Sequence, residues 1–147
     1  MIIVDTREKK WDHIEALFVA WGIPYKVQKL DVGDYVNTDT PGVIVDRKAS
    51  LDEVAQNLYS KDSSRFWREL RRASQHRIRL IILVEYGRAH SIEDIKDWKS
   101  KYNPYVDGKK LANEMFKCHV AYGVDWRFCK KHMAAGKILE LLKYDDR

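Results

Sequence analysis

The chain reads as an α/β protein, a three-layer sandwich with a central mixed β-sheet flanked by helices. Three observations predict this. Strand and helix patterns alternate along the 147 residues, the order that builds a sheet covered by helices. Residues 79–85 (RLIILVE) are apolar on both faces, as in a central strand packed from above and below. Residues 33–48 read as a hairpin, which puts an antiparallel pair into the sheet.

Taken in order, residues 1–5 (MIIVD) form a short buried strand ending in Asp5. Trp11, Ile14, Leu17, Phe18 and Trp21 recur at helical spacing over 9–21; Gly22 stops this helix and Pro24 follows. Residues 25–30 return as a strand and lead into the hairpin. Residues 50–59 form a helix with Ser50 as N-cap, Glu53 at capping-box distance and a stripe of Leu51, Val54, Ala55 and Leu58. A very basic helix over 63–76 carries Arg65, Arg68 and Arg72 on one face and Phe66, Leu70 and Ala73 on another. After the strand at 79–85, residues 86–106 are loop-like with one short helix, 91–98, capped by Ser91. A helix over 107–122, a strand over 124–128 and a helix over 130–143 complete the chain. One domain over 1–147 is expected, with a single sizeable core.

Composition narrows the class. No stretch approaches the roughly 18 apolar residues of a membrane span, the strand-like apolar run at residues 80–84 being far shorter. The start, MIIVDTREKK, lacks the layout of a signal peptide. Cys118 and Cys129 are the only cysteines, which suits free thiols in a reducing compartment. The expected location is cytoplasmic, or nuclear in a eukaryote. The net charge of +5 is uneven: residues 1–60 carry 7 Lys/Arg and 10 Asp/Glu, against 20 and 12 in the remainder. An acidic half thus sits beside a basic half able to attract a polyanion.

The hairpin carries the candidate chemistry. Side chains alternate along a strand, so in IVDRK (44–48) Asp46 and Lys48 share one face and Arg47 points to the other. Pro41 and Gly42 mark a turn. A five-residue loop centred on Thr40 pairs position i with position 80 − i and sets Asp34 opposite Asp46. Directly opposed side chains have Cβ atoms about 4.5–5.5 Å apart, and like charges there are destabilising. A hard divalent cation between the acids removes that conflict, and oxygen ligands suit Mg²⁺ or Mn²⁺. Lys48 is a compact positive charge beside them. Acid, acid and lysine in this arrangement suit metal-assisted phosphodiester cleavage.

Gly33-Asp34-Tyr35, Val45-Asp46-Arg47-Lys48 and Asp52 together resemble the pattern GD…(V/I)ERKxxxD of the XPF-type structure-specific DNA nucleases. Val4-Asp5-Thr6-Arg7-Glu8 resembles that family's first-strand motif. Leu58-Tyr59-Ser60, Arg65-Phe66 and the strand 80–85 resemble the segments that follow. The likeness is dense from residue 2 to about residue 86 and diffuse beyond. One departure is that Asp46 stands where the family has Glu, one methylene shorter.

The resemblance implies a restriction-endonuclease-like fold and a Mg²⁺- or Mn²⁺-dependent endonuclease that hydrolyses branched, flapped or junction DNA. It places Asp5 near the ion held by Asp34 and Asp46, Arg7 near the scissile phosphate, and Arg65 on the DNA. Lys61, Arg68 and Arg72 are further backbone-contact candidates or a solvated face. Arg47 pairs with Asp52 or Glu53, or reaches a neighbouring phosphate, and its backbone carbonyl is a candidate third metal ligand. Asp52 is either a supporting site residue or a helix-dipole partner. The family's appended helix-hairpin-helix domain is not expected here. A homodimer through the last helices is implied, with Met133, Ala134, Ile138 and Leu141 either its face or plain core. Two other readings are a non-cleaving DNA-binding partner of an active nuclease, and a same-fold nuclease acting on plain duplexes or ends.

Two remaining groups have ordinary readings. Trp98, Tyr102 and Tyr105, set between lysines, are expected to pack a loop onto the core, with stacking on unpaired bases as the alternative. Cys118, His119, Cys129 and His132 do not match the two-pair spacing of a zinc site.

Overall fold

The structure is a computed structural model and describes residues 1–61 and 63–145. Six strands form one sheet in the order β2-β1-β3-β4-β5-β6: β1 (Ile2–Val4), β2 (Tyr25–Val27), β3 (Tyr35–Asn37), β4 (Val43–Lys48), β5 (Arg79–Glu85) and β6 (Asp125–Cys129). The sheet is mixed. β1 runs parallel to β2 and antiparallel to β3, β3 antiparallel to β4, and β4, β5 and β6 run parallel. The helices are α1 (Asp12–Ala20), α2 (Leu51–Tyr59), α3 (Ser63–Gln75), α4 (Gly108–Tyr122) and α5 (Ala134–Leu141).

Strand alternation divides the core into two layers. Ile3, Val36, Ile44, Leu80, Ile82 and Val84 face α2, α3 and α4. Ile2, Val4, Tyr35, Val45, Ile81 and Leu83 face α1 and α5. Burial on both faces is why β5 reads as an unbroken apolar run.

Tyr35 pairs with Val45 and Val36 with Ile44, the register expected from a loop centred on Thr40. Before Tyr35 the register slips by one residue, because Asp34 N–H donates to Val45 O at 2.9 Å and not to Asp46. Gly33 sits just before Asp34 with φ +70°, and a Cβ there would collide with the Ile44 side chain. Only glycine accepts both constraints.

Several boundaries differ from expectation for local reasons. α1 begins at Asp12 rather than residue 9, because Lys10 is left-handed (φ 53°) and the Lys9 carbonyl accepts from Arg47 Nη2 at 2.9 Å. Ser50 caps α2 by accepting from Glu53 N–H at 3.1 Å. Glu53 in turn accepts from Ala49 N–H at 2.8 Å, not from Ser50 as in a full capping box. The short helix at 91–98 is a 3₁₀ turn over Ile92–Ile95, and the last helix divides into a 3₁₀ turn, Lys131–Met133, and α5.

Trp98 packs against the core, whereas Tyr102 and Tyr105 are 84% and 80% exposed. The packing expected for those two tyrosines is therefore not found. Ala134, Ile138 and Leu141 are buried in the layer shared with α1 and β5, with only Met133 of that stripe exposed. Cys118 and Cys129 belong to opposite core layers. Among the described residues, no helix is long and apolar enough to cross a membrane.

Candidate active site

The strand ends that carry the candidate residues converge. Side-chain parity in β1, β3 and β4 sends Asp5, Asp34, Asp46 and Lys48 to the face covered by α2 and α3. There a cleft of about 530 Å³ is lined by Asp5, Asp34, Asp46 and Glu69, with Arg7, Arg65, Arg68 and Arg72 around them. The lining thus brings carboxyl groups and guanidinium groups together in one cleft.

Asp34 and Asp46 are close enough to share a proton. Burial pushes the Asp34 carboxyl well above the usual carboxylate range, and the neighbouring Asp46 and Glu8 push it the same way. The Arg47 main-chain N–H opposes this by donating to Asp34 Oδ2 at 2.7 Å. Lys48 Nζ lies 3.4 Å from Asp46 Oδ1 and 5.6 Å from the centre of the Phe66 ring. Burial disfavours its charge, but Asp46, Glu53, Asp34 and Glu69 outweigh that and raise its pKa. Lys48 is thus a fixed cation at neutral pH, not a base.

Asp5 lines the cleft with both oxygens already engaged. Oδ1 accepts from Leu30 N–H at 2.7 Å and Oδ2 accepts from Arg7 Nε at 2.8 Å. Burial would raise its pKa, yet the Leu30 N–H and the Arg7 guanidinium hold it below the ordinary value. Asp5 orients Arg7, whose Nη2 also donates to Leu30 O at 2.8 Å. Asp5 stays in the lining of the cleft with Asp34 and Asp46 and holds Arg7 there.

Arg47 needs a correction. Its side chain is 3% exposed and lies on the opposite face, where it meets Glu8 Oε2 at 3.1 Å and Glu85 Oε1 at 2.5 Å. It reaches neither Asp52 nor Glu53, and a guanidinium enclosed by two carboxylates is not available to a DNA phosphate. His13 Nε2 meets the other Glu85 oxygen at 2.7 Å. Asp52 also sits apart from the acids, accepting from Ser100 Oγ at 2.7 Å and Lys101 N–H at 3.2 Å. Arg65 is exposed on the cleft wall, and Lys61 is exposed in the turn between α2 and α3 but does not line the cleft.

Glu69 is the residue that sequence reasoning missed. It is the only acid in α3, and its Oε1 accepts from Gly33 N–H at 3.1 Å. Burial and then Asp46 raise its pKa. The available signal was a single carboxylate between Arg65, Arg68 and Arg72 on a helix otherwise free of acids. Among the described residues, no three His, Cys, Asp or Glu side chains gather tightly enough to enclose a metal alone.

A family model described as the ERCC4 domain matches residues 4–142. XPF from Aeropyrum pernix is similar in structure, with a TM-score of 0.70 over 97% of this chain and 63% of that one at 21% identity. XPF from Aeropyrum pernix in complex with DNA matches with a TM-score of 0.69 at 22% identity, over 97% of this chain and 62% of that chain. The chain therefore spans less than two thirds of these structures, and likeness at this identity speaks for the restriction-endonuclease-like fold. No curated protein sequence matches. The family model extends from β1 to the residue after α5, and the chain belongs to the ERCC4 domain family.

Proposed function

We propose that this domain is a divalent-metal-dependent DNA endonuclease acting on branched or flapped duplexes. The observation that carries this reading is the Asp34–Asp46 pair, Asp46 buried and Asp34 half-buried at the cleft, with Lys48 at its side. Two carboxylates in contact either share a proton or bind a cation. The donor set fits a hard ion, being all oxygen. An extended residue projects its N–H and C=O to the same edge. The Arg47 carbonyl thus faces the side on which its N–H meets Asp34, and can supply a third oxygen. Waters or substrate phosphate complete the shell, as Mg²⁺ commonly requires.

When bound, the cation supplies Lewis acidity toward the phosphate and its attacking water. The protein's own groups do the rest. Arg7, held by Asp5, orients a phosphate at the cleft. Lys48 stabilises negative charge as it builds on the phosphoryl oxygens. Arg65, with Arg68 and Arg72, positions the backbone without reading sequence.

The experiment is cleavage of a labelled flap DNA by wild type and Asp46→Asn, with Mg²⁺ or Mn²⁺. Metal-dependent cutting by wild type and its loss in the variant support the reading. No cutting by wild type with either ion leaves the non-cleaving partner as the better account. Equal cutting of flap and plain duplex favours the same-fold duplex nuclease.

A further inference from the structure

Residues 99–107 are firmly built yet present their two tyrosines to solvent. Asp52 accepts from Ser100 Oγ and Lys101 N–H, while Ser100 Oγ accepts from Tyr102 N–H at 3.2 Å and Asn103 N–H at 3.0 Å. Asn103 Oδ1 accepts from Tyr105 N–H at 3.0 Å, and Lys110 Nζ donates to Tyr105 O at 2.9 Å. A bridge between Lys99 and Asp107 closes the loop, with Gly108 N–H donating to Trp98 O at 2.7 Å. Gly108 packs so close to Ile95 that any side chain would strike its carbonyl. Internal order of this degree would let aromatic side chains fold inward, as Trp98 does. Tyr102 and Tyr105 remain 84% and 80% exposed.

The loop also has a direction. Tyr102 and Asn103 line a cleft of about 690 Å³ whose far wall includes Lys10 and Glu53. Lys10 and Glu53 recur in a third, smaller cleft that contains Asp34, Asp46 and Arg7. Those three in turn line the acid cleft. The three clefts thus adjoin one another in sequence from the acid pair to the tyrosine loop. Lys99 and Lys101 lie in the loop and Lys109 and Lys110 in the first turn of α4, against Asp107 in the same stretch and Asp52 and Glu53 on the cleft, so the lysines flank the tyrosines with the charge that suits a polyanion.

We propose that this loop receives the single-stranded DNA arm leaving the acid pair, with Tyr102 and Tyr105 stacking on unpaired bases and Asp52 as the positioning residue. Rigid aromatic faces among lysines bind single strands with little sequence preference, because every base offers a π-face. Duplex bases are already stacked and gain nothing from the tyrosines. The idea deepens the reading of the acid cleft as a nuclease site and takes its direction from it.

The test is binding in EDTA, where cleavage plays no part, by fluorescence anisotropy with labelled oligo-dT and with a blunt duplex. The Tyr102→Ala/Tyr105→Ala double variant should lower the ratio of oligo-dT to duplex affinity by about tenfold or more. Tyr102→Trp should bind oligo-dT at least as tightly as wild type. Asp52→Ala should lower the ratio and Asp52→Asn, which keeps an acceptor oxygen, should not. An unchanged ratio in the double variant, or a Tyr102→Trp variant as weak as the alanine form, would overturn the proposal. Absence of metal-dependent cutting by the wild type, with its preference for oligo-dT and the effect of the tyrosine variants intact, would count against the nuclease reading and leave this proposal standing.

Discussion

Arg47 serves Asp34 with its backbone and turns its side chain the other way. Its N–H donates to Asp34 Oδ2 at 2.7 Å on the cleft face, while its guanidinium is enclosed by Glu8 and Glu85 on the opposite face. The buried ion pairs fix the position of β4 and so the position of the donor. Breaking a buried pair by removing one partner costs about 3–5 kcal/mol, because the remaining charge stays behind. Arg47→Ala should show that loss as a lower urea midpoint. Arg47→Lys should recover little of it, since an ammonium lacks the planar fork that reaches Glu8, Glu85 and the Lys9 carbonyl together. A variant that unfolds like wild type would show that the pairs contribute nothing.

The metal-free protein should lose stability as pH rises. Asp34 and Glu69 both have raised pKa values in the fold, from ordinary values of 3.8 and 4.5. A carboxyl with a raised folded-state pKa binds its proton more tightly when folded. Stability is then greatest below the unfolded value and falls as pH climbs toward the folded one. Asp5 acts in the opposite sense, with a lowered pKa that withdraws support only as pH drops below about 3.8. Asp34→Asn should flatten the fall above pH 4 and raise the metal-free Tm at pH 8 by about 3–5 °C, the size of a 1 kcal/mol gain in a domain of this length. Thermal melts from pH 4 to 8 check both points, and a Tm lowered by Asp34→Asn at pH 8 would contradict them.

Lys48→Met keeps a stem of similar length and removes the charge that lies beside Asp46 and over the Phe66 ring. Cleavage kcat should fall by about 10²–10³, the usual effect of losing one electrostatic stabiliser of a transition state, with KM for DNA changed little. A rise in KM with kcat intact would instead make Lys48 a general phosphate binder.

Arg65 and Arg68 line the cleft without a mechanism that requires base reading. Replacing both with alanine should weaken binding to unrelated duplexes alike. It should also reduce the slope of log K against log salt by about 0.9 for each phosphate that is no longer neutralised. An unchanged slope would return these residues to a solvated helix face.

The hairpin register was legible because Pro41 and Gly42 fix a turn and parity does the remainder. The separation of Arg47 from Asp46 and Lys48 follows from that, whereas Asp34 lies beyond the last in-register pair and meets Asp46 after a one-residue slip. The partners of Arg47 were not legible. Glu8 leaves the first strand and Glu85 ends the fifth, so their meeting is a fact of sheet order and not of local sequence. Glu69 was hidden for a related reason. On a helix this basic it looks like a solvated charge, and only the packing of α3 beside α2 on the sheet brings it to Gly33. The α5 stripe showed helical spacing clearly, but spacing alone does not distinguish a face buried in the same chain from a face offered to a partner.

The central claim is that one divalent ion replaces the proton between Asp34 and Asp46. Anomalous diffraction at the manganese edge, from a crystal soaked in MnCl₂ at pH 8, tests it most directly. The account predicts a peak between the two carboxylates, beside the Arg47 carbonyl, that disappears in Asp46→Asn. A clean map at that position in the wild-type crystal, or a peak that persists in the variant, would contradict it.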